Sequence, residues 1–220
     1  MKKAKPLVLV LCAVLLVAAT ILGTVAYLTD EEGVVNTFTI GQIDLRLDEA
    51  VVDADGNPTG KRTEDGNAYH LIPGKTYTKD PTVTVVKGSE EAYIRMLVTI
   101  NCYEELCAIF GDPFLPQYFV SGWDSEVWVT TNEIKVDKTA NTGTYEFRYY
   151  TTVAGGSEDV VLGAVFDTVT VPATMTGEQL KTIANLEINV EAHAIQKSGF
   201  DTASAAWAEF SNNMAFLHQD

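Results

Sequence analysis

The chain has 220 residues, of which 46% are hydrophobic, and its 15 basic and 30 acidic side chains give a formal net charge of -15. A hydrophobic fraction of this size is typical of a globular protein and excludes a wholly disordered chain. The acidic excess argues against nucleic-acid binding, because a protein that binds phosphate backbones needs a basic surface to replace their counterions.

The first 26 residues have the three parts of a secretory signal peptide. Three lysines lie among the first five residues, and an uncharged, apolar run follows from Leu7 to Leu22. Thr24 and Ala26 are small residues at the two positions that a signal peptidase recognises. The pattern predicts a signal helix over 1–26, cleavage between Ala26 and Tyr27, and a single exported domain over 27–220.

An uncleaved membrane anchor is the alternative. No residue from Pro6 to Thr29 is charged, and a helix of that length could span the hydrocarbon core. Cleavage is favoured because the leucine-rich part is shorter than the roughly 20 residues that a span needs. In both cases the lysines mark the cytoplasmic end, so the rest of the chain is predicted to be secreted or displayed at the cell surface.

The first residues of the mature chain predict a segment for pairing with another sheet. Residues 27–36 begin polar and acidic, and we expect them to be flexible. The β-prone residues in or after this segment are Val34, Val35, Phe38 and Ile40. Once released from the membrane, they could pair with the exposed strand edge of another molecule. Folding back into the molecule's own sheet is the alternative.

Alternation of apolar and polar residues dominates the rest of the chain. The first strand, over 43–47, changes phase at Gly41–Gln42, which predicts a bulge or sharp bend there. The further alternating runs are Thr82–Val86, Tyr93–Cys102, Glu126–Thr131, Tyr145–Tyr149, Val165–Val171 and Leu186–Ala194. One-sided burial with β-branched and aromatic residues is typical of antiparallel strands packed on one face, so we predict an all-β antiparallel sandwich.

Short helical insertions complete the predicted sandwich. Tyr103–Phe110 could form one or two helical turns after a strand. Thr176 followed by Gln179 has the spacing of a capping box. Asp201 is the predicted cap of a last helix, whose apolar residues recur at helical spacing: Ala203, Ala206, Trp207 and Phe210.

The chain contains no recognisable catalytic motif. Its three histidines, His70, His193 and His218, are far apart, and none belongs to an H-E-x-x-H zinc motif. His193 lies on the polar side of an alternating run, which predicts a surface position. There is no G-x-S-x-G elbow, P-loop or dinucleotide-binding fingerprint. We therefore predict no catalytic residue, no metal ligand and no cofactor.

An acidic segment resembles part of a calcium loop. Asp53–Asn57, with Glu64 further along, supplies the right kinds of ligand. Pro58 stands where an EF-hand requires glycine, so we interpret the segment as a polar hairpin loop.

Two cysteines remain after removal of the signal peptide. Cys102 and Cys107 are five residues apart and could form a small disulfide loop in an exported protein. Two small buried hydrophobic side chains are an equally good interpretation.

Three blocks of motifs carry a resemblance to a known family. They are Gly23–Asp30 with Asn36–Gly41, Pro73–Val85 with Gly88–Arg95, and Ala192–Gln196 with Gly199–Phe200 and Ala205–Trp207. Together they resemble the camelysin/TasA family of exported proteins of Gram-positive bacteria, over nearly the whole chain.

The resemblance implies a jelly-roll-like sandwich and a signal peptide that is cut by a SipW-type signal peptidase. It also implies, from the best-known members, a biofilm-matrix fibre in which the N-terminal strand of one subunit completes the sheet of the next. We therefore expect a self-associating structural or surface protein. The alternative is a secreted camelysin-like metallo-endopeptidase, which some members are named for, although the zinc-ligand pattern is missing from this sequence.

Overall fold

The computed structural model describes residues 42–217, with side chains described through Phe210. The predictions for the signal peptide 1–26 and for the segment 27–36 lie outside the described residues. So do these individually predicted residues: Thr24, Ala26, Tyr27, Val34, Val35, Phe38, Ile40, Gly41 and His218. Within the described range, no helix has both the length and the apolar character that a membrane crossing needs.

The described chain is mainly antiparallel β-structure. In chain order the strands are β1 Leu45–Val52, β2 Pro58–Thr63, β3 Thr76–Thr78, β4 Thr82–Val85, β5 Ala92–Asn101, β6 Val120–Ser121, β7 Trp128–Asp137, β8 Thr142–Tyr149, β9 Val160–Val161, β10 Thr168–Thr170 and β11 Ile188–Gln196. They form sheets with the orders β2-β1-β4-β9, β3-β10-β6 and β11-β5-β8-β7, and the pairings are antiparallel. The predicted all-β sandwich is confirmed.

One continuous apolar core joins the three sheets. The even-numbered residues of β5, from Ile94 to Ile100, are all at most 2% exposed, as strand alternation predicts. They belong to one buried cluster with residues of other strands, including Val83, Val85, Tyr145, Phe147 and Val169. Burying each large apolar side chain contributes about 1.5–3 kcal/mol, so this core supplies the main driving force for folding.

The described residues also contain three helices: α1 Tyr103–Phe110, α2 Gly177–Thr182 and α3 Ala203–Leu217. The predicted capping box of α2 is confirmed. The Thr176 hydroxyl accepts a hydrogen bond from the Gln179 nitrogen at 3.2 Å, and the Gln179 side chain accepts one from the Thr176 nitrogen at 2.8 Å. The predicted cap of α3 is wrong by one residue, because the Thr202 hydroxyl accepts the bond from the Ala205 nitrogen.

Two of the predicted strands differ in length from the observed ones. β7 extends well past Thr131, and its register with β8 shifts between Thr130 and Ile134. Because of this shift, β7 can continue past Thr131, where the regular alternation of apolar and polar residues ends. β10 is shorter than predicted because Val165 and Phe166 are both buried, which a strand with one solvent-facing side does not allow.

The outer strands of the sheets leave edges at which a partner strand could bind. β11 is an outer strand, and within residues 42–217 it pairs with β5 alone. β1 pairs with β4 along its first half, Leu45–Asp48, and with β2 from Glu49 onwards. Ile43, Leu45 and Leu47 pack against the core, which confirms the odd-numbered phase predicted for this strand.

Candidate functional site

A cleft of about 880 Å³ opens beside β11. One wall is formed by the loop after β2, between Asp65 and Leu71, and the other by Leu186–Asn189. Tyr77 and Val169 also line it and are almost fully buried. A smaller depression, of about 150 Å³, lies between β1 and the next residues of β11 and shares several of these lining residues. The two depressions together follow the open edge of β11.

The backbone groups that β11 presents at this edge follow from its pairing with β5. The Asn101 nitrogen donates to the Glu187 oxygen at 3.3 Å, and the Lys197 nitrogen donates to the Glu91 oxygen at 2.9 Å. Both bonds fit one continuous register. Hydrogen-bonded pairs alternate along an antiparallel ladder, so the odd-numbered residues of β11 bond to β5. The N–H and C=O groups of its even-numbered residues therefore point towards the open edge.

A cluster of three polar side chains, the buried Glu49 and Lys79 and the half-buried Asn67, lies beside the cleft; we call it the Glu49 cluster. Lys79 Nζ donates to Glu49 Oε2 at 2.6 Å, and the two side chains are only 9% and 7% exposed. Asn67 Nδ2 donates to the other carboxylate oxygen, Oε1, at 2.8 Å. The Glu49 carboxylate therefore binds the Lys79 ammonium group through one oxygen and the Asn67 carboxamide group through the other.

The Asn67 side chain is fixed from several directions. Besides its bond to Glu49, Nδ2 donates to the Ala50 oxygen at 2.8 Å. The amide oxygen, Oδ1, accepts a bond from the Val52 nitrogen at 3.1 Å. These bonds dock the loop after β2 onto β1 and leave the amide group little freedom to rotate.

Aromatic rings border the Glu49 cluster. Lys79 Nζ lies 6.0 Å from the ring centre of Tyr69, which packs edge-on against Tyr77 at 5.7 Å. Burial, and after it the negative charge of Glu49, raises the pKa of the Tyr69 phenol above its usual range. The low exposure of the Lys79 and Glu49 side chains strengthens the electrostatic interaction between them.

A second buried cation lies on the outer face of the sheet that contains β11; we call its surroundings the Arg95 cluster. Arg95 is 5% exposed. Its guanidinium carbon lies 4.4 Å from the ring centre of Trp207 and 5.0 Å from that of Phe210. Its nitrogens approach Glu146 at 3.6 Å and His193 Nδ1 at 3.3 Å. Helix α3 is thus held to the sheet by stacking on a buried charge.

The surface position predicted for His193 needs a correction. The residue is on the outer face of β11, as the alternation indicated, but α3 covers it and its ring lies 5.3 Å from that of Phe210. Its side chain is 24% exposed. Burial, and then the neighbouring positive charge of Arg95, lowers the pKa of the imidazole below its usual 6.5.

The two cysteines are free thiols in the structure. Cys102 adopts a left-handed backbone conformation, with φ of 53°, just before α1. Cys107 lies on α1 and donates to Asp112 Oδ1 at 3.8 Å. Both pack partly against the core, in line with the hydrophobic interpretation, and burial raises the pKa of the Cys102 thiol. The predicted disulfide between Cys102 and Cys107 stays a prediction.

The acidic segment at Asp53 is a hairpin loop between β1 and β2, as predicted. Asp53 Oδ1 accepts bonds from the backbone nitrogens of Asp55 and Asn57, both at 2.9 Å. The carboxylate thus organises the turn itself. Among residues 42–217, no three His, Cys, Asp or Glu side chains are grouped closely enough to hold a metal ion.

Sequence reasoning missed the Glu49 and Arg95 clusters, because their members are distant in the chain. One signal was present: Lys79 lies between two short β-prone runs, where a lysine has to be either exposed or paired. Its partner, Glu49 on β1, could be identified only from the pairing of β1 with β4, which the sequence does not show.

Comparisons with family models, with curated proteins and with solved structures find no match to this chain. Its resemblance to the camelysin/TasA family therefore stays a prediction from the sequence motifs.

Proposed function

We propose that the protein is an exported structural subunit, of the cell surface or of an extracellular matrix, that self-associates by strand addition. The observation that carries this proposal is the open edge of β11 beside the cleft. The occupant is the segment 27–40 of a second copy, which immediately precedes the described domain in the chain. Unpaired strand edges bind an added strand through main-chain hydrogen bonds.

The sequence of the segment suits the lining of the cleft. Phe38 and Ile40 are two residues apart and would point to the same side of an added strand. Apolar residues that could receive them are present in the cleft, among them Leu186, Ile188 and Val169. Backbone pairing would supply affinity, and these alternate side chains would set the register.

Charge opposes the association at neutral pH. Asp65 and Glu187 are exposed at the cleft, the segment itself carries Asp30, Glu31 and Glu32, and the net charge of the chain is -15. Raised salt screens this repulsion, and lowered pH removes it by protonating carboxylates. We expect assembly to increase under both conditions.

The export step can be tested at the cleavage site. Replacing Ala26 with tryptophan should block a SipW-type signal peptidase, because only small residues fit the recognition cleft at that position. The expected product is larger and membrane-retained on fractionation and immunoblotting. Ala13→Trp, within the apolar run, is the matched control and should be processed normally. Normal secretion of Ala26→Trp would contradict the predicted cleavage site.

Assembly can be tested by removing the added strand. The mature protein and a variant lacking residues 27–40, which include Phe38 and Ile40, should be compared by sedimentation velocity and electron microscopy. Both should be studied at neutral pH and at about pH 4.5, where the sequence is isoelectric. We expect oligomers or filaments of the intact protein only. If both proteins stay monomeric throughout, or both form the same filaments, strand addition is refuted.

A second variant tests the receiving edge. Val190 is even-numbered, so its N–H points away from β5 and is free for an added strand. Val190→Pro removes that donor and leaves the ladder with β5 intact. Val190→Thr keeps the donor and nearly the same shape, and it serves as the matched control. We expect assembly to fail in the proline variant and to persist in the threonine variant.

A further inference from the structure

The three side chains of the Glu49 cluster have the functional groups that an amide-forming reaction needs: an amine, a carboxamide and a carboxylate that contacts both. Lys79 supplies an amine, which is a nucleophile once it has lost its proton. Asn67 supplies a carboxamide carbon, which is an electrophile. Glu49 touches both groups, at 2.6 Å from the amine nitrogen and 2.8 Å from the amide nitrogen. A carboxylate in that position can accept a proton from one nitrogen and deliver it to the other.

We propose that Lys79 and Asn67 become joined by an intramolecular isopeptide bond, with Glu49 as the group that moves the proton. The bond forms between Lys79 Nζ and Asn67 Cγ, and the bond between Asn67 Cγ and Nδ2 breaks. One molecule of ammonia leaves. No oxidant, reductant or cofactor takes part, and the folded chain supplies both reactants.

The proton transfers balance in the following way. Glu49 takes a proton from the Lys79 ammonium group across their short contact, and the neutral amine attacks Asn67 Cγ. The tetrahedral intermediate carries a developing negative charge on Oδ1. A proton then passes through Glu49 from the former amine to Nδ2, which departs as ammonia. The extra proton stays on Glu49, which ends as a neutral acid beside the new amide, and the ammonia leaves uncharged.

The surroundings favour the step. Val52 N–H donates to Asn67 Oδ1 at 3.1 Å, where negative charge develops, and so acts as an oxyanion-stabilising donor. The exposed fractions of Lys79 and Glu49, 9% and 7%, keep competing water away from the amine and the carboxylate. Holding two reactants in contact with one carboxylate converts a bimolecular reaction into an intramolecular one, which removes a large part of its entropic barrier.

The proposal also gives a reason for the burial of Lys79 and Glu49 beside Asn67. A buried ion pair on its own contributes little net stability, because the desolvation of both charges offsets their attraction. An amide bond between Lys79 and Asn67 removes the charge on the amine. It also ties the loop after β2 to the chain that follows β3, and this fixes one wall of the cleft. Covalent closure of a loop stabilises a fold by restricting the unfolded chain.

Mass spectrometry of the full-length purified protein tests the bond directly. The intact mass should be lower than the sequence mass by one ammonia. Trypsin should then release residues 63–75 and 76–87 as one branched peptide, because modified Lys79 is not cleaved and its side chain carries Asn67. Fragmentation of that peptide locates the bond. A wild-type protein with the unmodified mass after prolonged incubation would overturn the proposal.

Substitutions distinguish the formation of this bond from other reactions that release ammonia. Lys79→Arg keeps the positive charge but lacks a nucleophilic amine, so the mass deficit should disappear. Glu49→Gln should abolish or strongly slow the reaction. Asn67→Asp should give the same final mass as the wild type, because water leaves in place of ammonia and the product is identical. Lys75→Arg is the matched control, since Lys75 pairs with the exposed Asp55 and should leave the bond intact.

A deficit that persists in Lys79→Arg would assign the loss of ammonia to succinimide formation at an asparagine, and it would overturn the proposal. If that variant does not fold, the branched peptide of the wild type decides the question alone. The bond is independent of self-association, because it is measured on one chain under conditions in which the protein is monomeric.

Discussion

Two buried cations, Lys79 and Arg95, lie in different parts of the sandwich and are neutralised in different ways. Lys79 has a short contact with the carboxylate of Glu49, 2.6 Å away. Arg95 lies between two aromatic rings and approaches the carboxylate of Glu146 at 3.6 Å. The first arrangement depends on one strong contact, and the second spreads the interaction over several weaker ones.

The difference follows from the chemistry of the two side chains. An arginine guanidinium keeps its charge in proteins and stacks on aromatic faces, which suits a structural contact between α3 and the sheet. A lysine amine can lose its proton and then react. The reactive cation therefore lies beside a carboxamide, in the Glu49 cluster, and the permanent cation lies beneath a helix.

The largest expected effect comes from removing the carboxylate from each cluster in turn. Glu49→Gln leaves the Lys79 ammonium buried without a charged partner, and loss of one member of a buried pair costs about 3–5 kcal/mol. It also prevents the proposed isopeptide bond. Glu146→Gln should cost much less, because Arg95 keeps its contacts with Trp207 and Phe210. Urea unfolding of the two variants checks this, and equal costs would contradict the distinction between the clusters.

A smaller effect is expected at the aromatic cover of Arg95. Trp207→Leu keeps an apolar side chain over the cation but removes the π-face, which for a desolvated pair is worth about 2 kcal/mol. A double-mutant cycle with Arg95→Met isolates this contribution from the change in packing. We expect a coupling free energy of about 1–2 kcal/mol between the two positions. Additive effects would mean that Trp207 acts by packing alone.

The sequence predicted the inner face of the sheet far better than the outer face. Alternation placed Met96, Val98 and Ile100 correctly because burial between sheets follows the strand period directly. The same alternation assigned His193 to the surface and gave no sign that Arg95 is buried, because α3 covers both residues. Helix α3, which covers them, begins well after both residues, and strand periodicity contains no information about an element that packs on the polar face.

The Glu49 cluster escaped prediction for a related reason. Its three residues come from β1, from the loop after β2 and from the chain after β3, and each is an ordinary polar residue in its own segment. Only the docking of that loop, through Asn67 and the backbone of Ala50 and Val52, brings them together. The α2 cap was predictable because Thr176 and Gln179 are three residues apart and interact locally.

The smallest expected effect is a pH-dependent loosening of the Arg95 cluster. Burial, and after it the charge of Arg95, lowers the pKa of His193 in the folded protein. At pH values between this lowered pKa and about 6.5, the unfolded chain therefore binds more protons than the folded one. Neutral His193 therefore makes its full contribution to the stability of the fold above about pH 6.5. This contribution is lost as the pH falls through the pKa that His193 has in the folded protein. The charged groups that surround the imidazole are Arg95 on β5, Glu146 and Arg148 on β8, and Glu191 on β11.

Glu191 and Glu146 act in the opposite direction and raise the pKa, but their influence is smaller than those of burial and Arg95. We therefore expect the wild-type protein to lose stability as the pH falls below about 6.5, the pKa of an ordinary histidine. Faster hydrogen exchange over Ala203–Phe210 should accompany the loss, because protonated His193 repels Arg95 beneath the helix. His193→Gln cannot be protonated in this range, so its stability and exchange should change less. If the stability of His193→Gln depends on pH as that of the wild type does, another group causes the loss. The contacts of Arg95 would then be insensitive to pH.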